Sequence, residues 1–364
     1  MELFIFVVLL LEALLILLPA VPNRLGLKHY REGNYVRAER YFRFFYRTSK
    51  MVILYAPLRA TAANNVGLTE MMQNRLPEAK EFFEEALTNS RKPSSKRTRF
   101  LVQSNLAFVE AFHGNLEKAE RLLDSMTSEA PLSTALQANA ILARAYILLF
   151  RGQYADGEAL INSSSTLFSD KSGTQTSSSI LIACYRLYDN KPDQALNILN
   201  SISPSKVHIK HFGAVIETLK MNCYTEMGRL QEAETIQATL LTRIDLMSEF
   251  DQRSAYSGIA LLASKREDWE RARYYADLAL SVAKIPHARA YPLLIKARAF
   301  VHYNNPIRAK ALCEEVLQMP VMPYYHRKAE ALLMYLAQKE AAPILVQSYN
   351  PSVVAESVYR QQGT

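Results

Sequence analysis

The sequence contains few residues whose spacing would suit catalysis or metal binding. His208 and His211 stand three residues apart in the segment HIKH, which would place both imidazoles on one face of a helix. A zinc site needs three or four ligands, and neither a cysteine nor an acidic residue stands at ligand spacing beside this pair. The sequence also lacks an HExxH motif, a GxSxG nucleophile elbow and a GxxxxGK[ST] phosphate loop. We therefore predict no catalytic residue, no metal and no cofactor, and a protein that is not an enzyme.

The composition favours a helical fold. The chain has 364 residues, of which 49% are hydrophobic and only 11 are glycine. Scarce glycine argues against a turn-rich all-β protein. The three cysteines (Cys184, Cys223 and Cys313) are far apart and form no CxxC motif. An odd, scattered set does not make a disulfide framework, so we expect buried, reduced thiols.

Basic residues are concentrated near the N-terminus. The segment from Ser90 to Arg99, SRKPSSKRTR, has five basic residues in ten, and the segment from Tyr41 to Arg47, YFRFFYR, alternates aromatic residues with arginine. At helical spacing, Phe42 and Phe45 would face neighbouring helices and leave the arginines outside. The alternatives for the cations are a solvated surface or contact with anionic lipids; nucleic acid is disfavoured, because later repeats carry no basic stripe. The candidate basic stem comprises Arg37, Arg40, Arg43, Arg47, Arg91, Lys92, Lys96, Arg97 and Arg99.

The first 22 residues resemble a membrane-spanning segment. From Leu3 to Pro22, fifteen of the twenty residues are large aliphatics or phenylalanine, enough to cross about 30 Å of hydrocarbon as a helix. Glu12, in the middle, costs roughly 3 kcal/mol, which fifteen apolar residues outweigh. A cleaved signal peptide is the alternative, but Glu2 replaces the basic start, and Leu18 occupies a position where a cleavage site needs a small residue. The sequence therefore predicts an uncleaved transmembrane anchor.

The charge distribution predicts the orientation of this anchor. Between Arg24 and Arg99 there are 16 basic and 7 acidic residues, although the whole chain has a net charge of only +8. The positive-inside rule then places the C-terminal part in the cytoplasm and the short N-terminus outside. The basic segment would also be attracted to anionic lipid head groups.

A repeat of about 38 residues is the strongest signal in the chain. One element recurs: a small or polar turn pair, an apolar residue or proline, two variable residues, and then a small residue. GNYVRA, NRLPEA and GNLEKA are three of its eight occurrences. The spacings between successive elements lie between 37 and 41 residues. The small residues that end the elements are Ala38, Ala79, Ala119, Gly157, Ala195, Ala233, Ala272 and Ala309. A fixed period of this length is typical of a solenoid.

A second small residue precedes each of these by twelve positions. Seven of the eight are Gly or Ala, and Met221 is the exception. The set is Gly26, Gly67, Ala107, Ala145, Ala183, Met221, Ala260 and Ala297. The spacing predicts a helix, a short turn and a second helix that crosses the first closely at the two small residues.

These residues resemble the tetratricopeptide repeat family. Its pattern combines a small residue in the first helix, a turn, an alanine and then an aromatic; Gly67, Leu76, Ala79, Phe83 and Ala86 follow it well. The resemblance covers roughly residues 23–320. Two features depart from the family: the period exceeds 34 residues, and the aromatic of the first helix is mostly missing.

The resemblance implies a groove on the concave face, lined by the first helix of each repeat and able to hold a partner peptide. Asparagines at equivalent positions in neighbouring repeats would bond an extended peptide backbone, whereas the lysines and arginines of the family's carboxylate clamp are missing. The predicted groove residues are Asn64, Asn65, Leu68, Ser104, Asn105, Phe108, Asn139 and Tyr146. Asn222 and Arg298 occupy similar positions in later repeats. Packing between repeats is the alternative role for all of them.

Together these features predict an all-α protein: a right-handed α-α superhelix of about eight helix pairs with an N-terminal transmembrane helix. The expected domains are an anchor (1–22), a repeat domain that ends in a capping helix (23–340, with the cap from Met322 to Glu340) and a flexible tail (341–364). We expect a membrane-anchored scaffold that binds other proteins through its groove. The alternatives are an extracytoplasmic repeat protein released by signal cleavage, or a non-catalytic subunit of an enzyme or assembly complex.

Overall fold

The structure, a computed structural model, describes residues 20–51, 56–91, 95–127, 133–169, 173–203 and 210–348. In these ranges the chain is helical, with eight helix pairs and a final longer helix. The helices are α1 (20–31), α2 (Tyr35–Met51), α3 (Ala56–Met72), α4 (Leu76–Asn89), α5 (Lys96–Phe112), α6 (Leu116–Thr127), α7 (Thr134–Arg151), α8 (Tyr154–Ser163), α9 (Thr174–Tyr188), α10 (Pro192–Ser201), α11 (Lys210–Glu226), α12 (Leu230–Leu241), α13 (Glu249–Lys265), α14 (Trp269–Val282), α15 (Pro286–His302), α16 (Pro306–Leu317) and α17 (Pro323–Ser348). Short 3₁₀ turns cover Ser165–Leu167 and Ile244–Leu246. The prediction of a helical solenoid is confirmed.

The first helix of every pair ends in the same left-handed turn. The second residue after the helix (after α7, the first) has a φ between +53° and +84°, and the next N–H bonds the carbonyl oxygen five residues back, as Asn34 does to His29 at 2.9 Å. This Schellman geometry satisfies carbonyl groups that the helix end leaves open, and glycine or asparagine adopts it most readily. The eight left-handed residues are Gly33, Asn74, Gly114, Gly152, Asn190, Gly228, Glu267 and Asn304, each five positions before the small residue of its repeat.

The paired small residues bring the two helices of each repeat into close contact. All sixteen are buried, including Met221. A Cβ added to Gly26 would lie 2.5 Å from the ring of Phe42, and one added to Gly67 would lie 2.7 Å from the ring of Phe83. An alanine at either position would therefore force the aromatic ring out of place, which explains why the sequence uses glycine there.

The C-terminal end of the solenoid packs against the N-terminal half. Gly114, in the turn between α5 and α6, lies against Pro320, and Gly152, in the turn between α7 and α8, lies against Pro323. The Asn74 amide donates to the carbonyl oxygen of Val282. One hydrophobic core cluster runs through both ends, with members on α3–α9 and on α15–α17. The inner face of the repeats is therefore enclosed by the chain itself.

We expect this closure to be measurable by comparing two glycines that share the left-handed turn. A Cβ at Gly228 meets nothing within 4 Å, so Gly228→Ala should cost only the backbone strain, about 1 kcal/mol. A Cβ at Gly114 would lie 2.5 Å from Pro320 Cβ, so Gly114→Ala should add a packing cost of roughly 1–3 kcal/mol. Urea denaturation of both variants measures the difference. Equal losses of stability would show that Pro320 does not pack on this turn.

Helix α17 takes the position of the predicted capping helix. It begins at Pro323 and continues to Ser348, eight residues beyond the boundary placed at Glu340. Ala329 and Leu336 are buried, so the helix covers the end of the stack. Residues 349–364 of the predicted tail lie outside the described residues.

The N-terminal transmembrane helix, one part of the predicted fold class, is wrong. None of the helices formed by the described residues combines the length and the apolar character that a membrane crossing requires. Residues 20–22, taken as the end of the anchor, instead open α1, where Pro22 is buried and Gly26 packs on Phe42. Residues 1–19 of the predicted anchor lie outside the described residues.

Candidate functional site

The first helices of the repeats line a partly open cavity of about 400 Å³, which we call the central cavity. Every first helix from α1 to α15 and the start of α17 contributes to its wall. The wall is mostly aromatic and aliphatic, and the size lies within the range of ligand pockets in proteins. Its aromatic residues include Phe108, Phe112, Tyr146, Phe150, Tyr188 and Tyr291.

The repeat geometry determines which residues reach this cavity. In five of the eight repeats the residue after the small residue of the first helix points inward: Phe108, Tyr146, Cys184, Asn222 and Leu261 all line the wall. On α9, α11 and α13, the residues three and six positions before the small residue also line the cavity. This is the helical spacing that places side chains on a single face.

Arg253 is the one charged side chain of the cavity wall that forms no salt bridge among the described residues; the buried Asp251, two residues away, acts on it only through its charge. It is 7% exposed, and its guanidinium donates a 3.4 Å hydrogen bond to Asn74 Oδ1 and lies 4.4 Å from the centre of the Phe250 ring. Among the described residues no carboxylate forms a salt bridge with it. Burial lowers the pKa of Arg253 to about 10, so it remains a cation at neutral pH. Glu226, which also lines the cavity, is paired with Lys265 Nζ at 3.0 Å.

The other polar atoms of the wall are neutral. His287 sits among aromatic rings, with its ring centre 4.5 Å from that of Phe150, and its buried Nδ1 has no hydrogen-bond partner. Burial, with a smaller effect of Arg253, lowers the pKa of His287 to about 3, so the imidazole is uncharged. Asn222 Oδ1 is likewise buried without a partner. Burial raises the pKa of Cys184 to about 12, which keeps its thiol protonated and a poor nucleophile.

The predicted groove residues fall into two groups in the structure. Phe108 and Tyr146 line the central cavity, and so does Asn222. Leu68 is half-buried and packs against the main core cluster, Ser104 is buried and bonds the Phe100 carbonyl oxygen, and neither lines the cavity. Asn139 is half-buried and Arg298 is exposed. Their role in binding stays a prediction.

The predicted asparagines form a hydrogen-bonded row between neighbouring repeats. Asn105 Nδ2 donates to Asn64 Oδ1 at 2.8 Å, Asn64 Nδ2 donates to Asn65 Oδ1 at 3.4 Å, and Asn65 Nδ2 donates to Asn23 Oδ1 at 2.8 Å. The row links α1, α3 and α5. Because buried amides need partners, this network stabilises the stacking of the first three repeats.

The residues of the candidate basic stem differ in exposure. Arg37, Arg40, Arg47, Arg91 and Arg97 are exposed, whereas Lys96 and Arg99 are half-buried, and Lys92 lies outside the described residues. Arg43 donates hydrogen bonds of 2.5 Å to Glu39 and to the fully buried Glu70. Arg43 therefore takes part in a charge network inside the first two repeats.

The two histidines of the HIKH segment are largely outside the described residues. His208 is outside the described residues, and the side chain of His211 is not described. Over the part of the chain that the structure covers, no three or more His, Cys, Asp or Glu side chains cluster as metal ligands would. The three cysteines are free, and Cys223 and Cys313 are buried.

The sequence did not lead us to predict Arg253 or His287 as site residues, although the position of Arg253 in its repeat is unusual. It stands seven positions before the small residue Ala260, where the other described repeats carry buried residues that are apolar or, once, threonine. These equivalents are Ala60, Phe100, Ala138, Thr176, Ala214 and Ala290. A charge at a position otherwise used for packing is an exception that the repeat alignment could have shown.

The comparisons with known proteins agree with the repeat. Residues 59–91, which span most of α3 and all of α4, match the family model described as "Tetratricopeptide repeat". The structure of NprR in complex with its cognate peptide NprX is similar over 82% of this chain and 91% of that chain, with a TM-score of 0.52 and 14% identity. A tetratricopeptide repeat protein from Parabacteroides merdae is similar over 78% of this chain and 98% of that one, with a TM-score of 0.45 and 14% identity. No curated protein matches the chain.

These matches support the resemblance to the tetratricopeptide repeat family. The family model covers the repeat whose residues fit the family pattern best, and the similarity to NprR supports the same fold over most of the chain. At 14% identity the similarity concerns the fold alone.

Proposed function

We propose that this protein is an interaction scaffold that binds a short peptide segment of a partner protein in the central cavity. The observation that carries the proposal is the cavity itself: an apolar, aromatic chamber on the inner face, with a few polar groups that lack partners. An apolar cavity of this size with a few polar groups is the usual form of a ligand-binding site. The similar fold of NprR, which was solved with its cognate peptide, supports peptide binding as the function.

The proposal gives the predicted groove residues different roles. Phe108 and Tyr146 stay in the proposed site, because they line the cavity. The asparagine row holds neighbouring repeats together, and a peptide that used Asn64 or Asn65 would have to break these bonds. Recognition would involve no bond breaking in the ligand, so the proposed function is non-catalytic.

Filling the cavity should abolish peptide binding. Ser177 lines the cavity on α9, whereas Ser179, on the same helix, does not, and both hydroxyls bond a main-chain carbonyl oxygen four residues back. Peptides that bind the wild type can be selected from a displayed random heptapeptide library and measured by calorimetry. Ser177→Tyr should weaken their binding by about 10-fold or more, which is about 1.4 kcal/mol. Ser179→Tyr is the matched control and should bind as the wild type does.

Two results would contradict the proposal. A library that gives no enriched peptide, or peptides that bind Ser177→Tyr and wild type equally, would place any interaction outside the central cavity. Circular dichroism of both variants confirms that each remains folded.

A further inference from the structure

We propose that the central cavity selects a peptide segment with one acidic side chain, Asp or Glu, among large apolar residues, and that Arg253 binds this carboxylate. The inference rests on the proposed function and specifies its ligand. The evidence for it is the set of charged groups in the cavity and the residues that form the cavity wall.

The cavity wall has one charged group without a salt bridge among the described residues. Glu226 is paired with Lys265 and His287 is uncharged, whereas the guanidinium of Arg253 has no carboxylate in contact and only the longer-range charge of Asp251 near it. A buried guanidinium has five N–H donors, and this one makes a single hydrogen bond of 3.4 Å, to Asn74. A carboxylate can accept two parallel hydrogen bonds from a guanidinium, which is the strongest pairing available to it.

The position of Arg253 also points to a ligand. In six other repeats the equivalent residue is buried between helices and is apolar or, once, threonine, so the fold itself does not need a cation there. A buried cation without a counter-ion lowers stability. A ligand that supplies the negative charge removes this cost on binding.

The wall determines the rest of the ligand. Aromatic side chains from α5, α7, α9 and α15 surround the space, so the residues that flank the acid should be large and apolar. A second acidic residue would find no second free cation in the described wall and would lie in the same small space as Glu226. The volume of about 400 Å³ limits the buried part to a few residues.

The test starts from the peptides selected on the wild type with the displayed heptapeptide library. We expect these sequences to be enriched in a single Asp or Glu among aromatic and aliphatic residues. For a selected peptide, the change of its acid to the amide (Glu→Gln or Asp→Asn) should weaken binding by about 100-fold. Arg253→Met should weaken binding of the acidic peptide to a similar extent, and it should bind the acid and the amide peptides equally.

Equal affinity of Arg253→Met for the acid and the amide peptides would show that Arg253 contacts the acid directly, because a general loss of structure would weaken binding of both peptides and leave their difference. Arg253→Lys keeps the charge and should restore part of the preference for the acid. Arg289→Met is the matched control: Arg289, on α15, is paired with Glu315 at 3.2 Å and does not line the cavity, so its removal should leave the preference intact.

The two proposals fail in different ways. Peptides that lose binding in Ser177→Tyr but show no preference for an acid would overturn the assignment of Arg253 and leave the proposed function standing. An acid preference that persists in Arg253→Met would also overturn it. No enriched peptide, or none sensitive to Ser177→Tyr, would overturn both.

Discussion

Replacing Arg253 by Met is expected to stabilise the unliganded protein by about 2 kcal/mol, because it removes a buried cation that has no carboxylate partner. Burial lowers the pKa of Arg253 to about 10 against the opposite effects of Tyr325 and Asp251, which means that the fold disfavours the charged form. Met has a similar length and can keep contact with the Phe250 ring. Asn74 keeps its hydrogen bond to the Val282 carbonyl oxygen. The substitution should therefore raise stability and, at the same time, weaken binding of the acidic peptide.

Urea denaturation at pH 7, followed by circular dichroism, measures this effect. Arg289→Met is the matched control, since the side chain of Arg289 is 40% exposed in its ion pair with Glu315, and we expect a change within about 0.5 kcal/mol. A loss of more than about 1 kcal/mol in Arg253→Met would identify Arg253 as a residue that holds the repeats together. That result would remove the argument that the cation is kept for a ligand.

Lowering the pH from 7 to 5 is expected to destabilise the wild type by about 2 kcal/mol through His287 alone. The pKa of this imidazole is about 3 in the folded protein and 6.5 when solvated. Above pH 6.5 it is neutral in both states, so its burial is not opposed by protonation. As the pH falls from 6.5 towards 3, the unfolded chain binds a proton that the folded protein excludes, and stability decreases throughout this window.

The variant His287→Phe should remove this part of the pH dependence. Phenylalanine suits a site formed by the rings of Phe112, Phe150 and Tyr325, and it has no Nδ1 to leave without a partner. Denaturation of the wild type and the variant at pH 7, 6 and 5 gives the difference in slope. His287→Leu controls for the aromatic contacts. Equal slopes in the wild type and both variants would show that His287 becomes protonated in the folded protein, contrary to this interpretation.

The repeat architecture could be predicted from the sequence because each of its rules is local. The turn residues from Gly33 to Asn304 recur five positions before a small residue, and they all adopt the left-handed conformation in the structure. A helix pair interacts mainly with its sequence neighbours in a solenoid, so one correct repeat predicts the next. The membrane prediction used hydropathy over residues 3–22. Of these the structure describes 20–22, which begin α1, and hydropathy alone does not show that Pro22 is buried in the first repeat.

The sequence by itself therefore determined the helix pairs, their turns and their close contacts, because helical periodicity and backbone conformation act over a few residues. Only the tertiary structure decided that the stack closes on itself around a partly open cavity. Arg253 bonds Asn74, which is 179 residues away, and His287 lies against Phe150. Contacts of this range depend on the curvature accumulated over eight repeats, and small differences in each helix crossing set that curvature. Within the described residues, this closure buries Arg253 without a salt bridge.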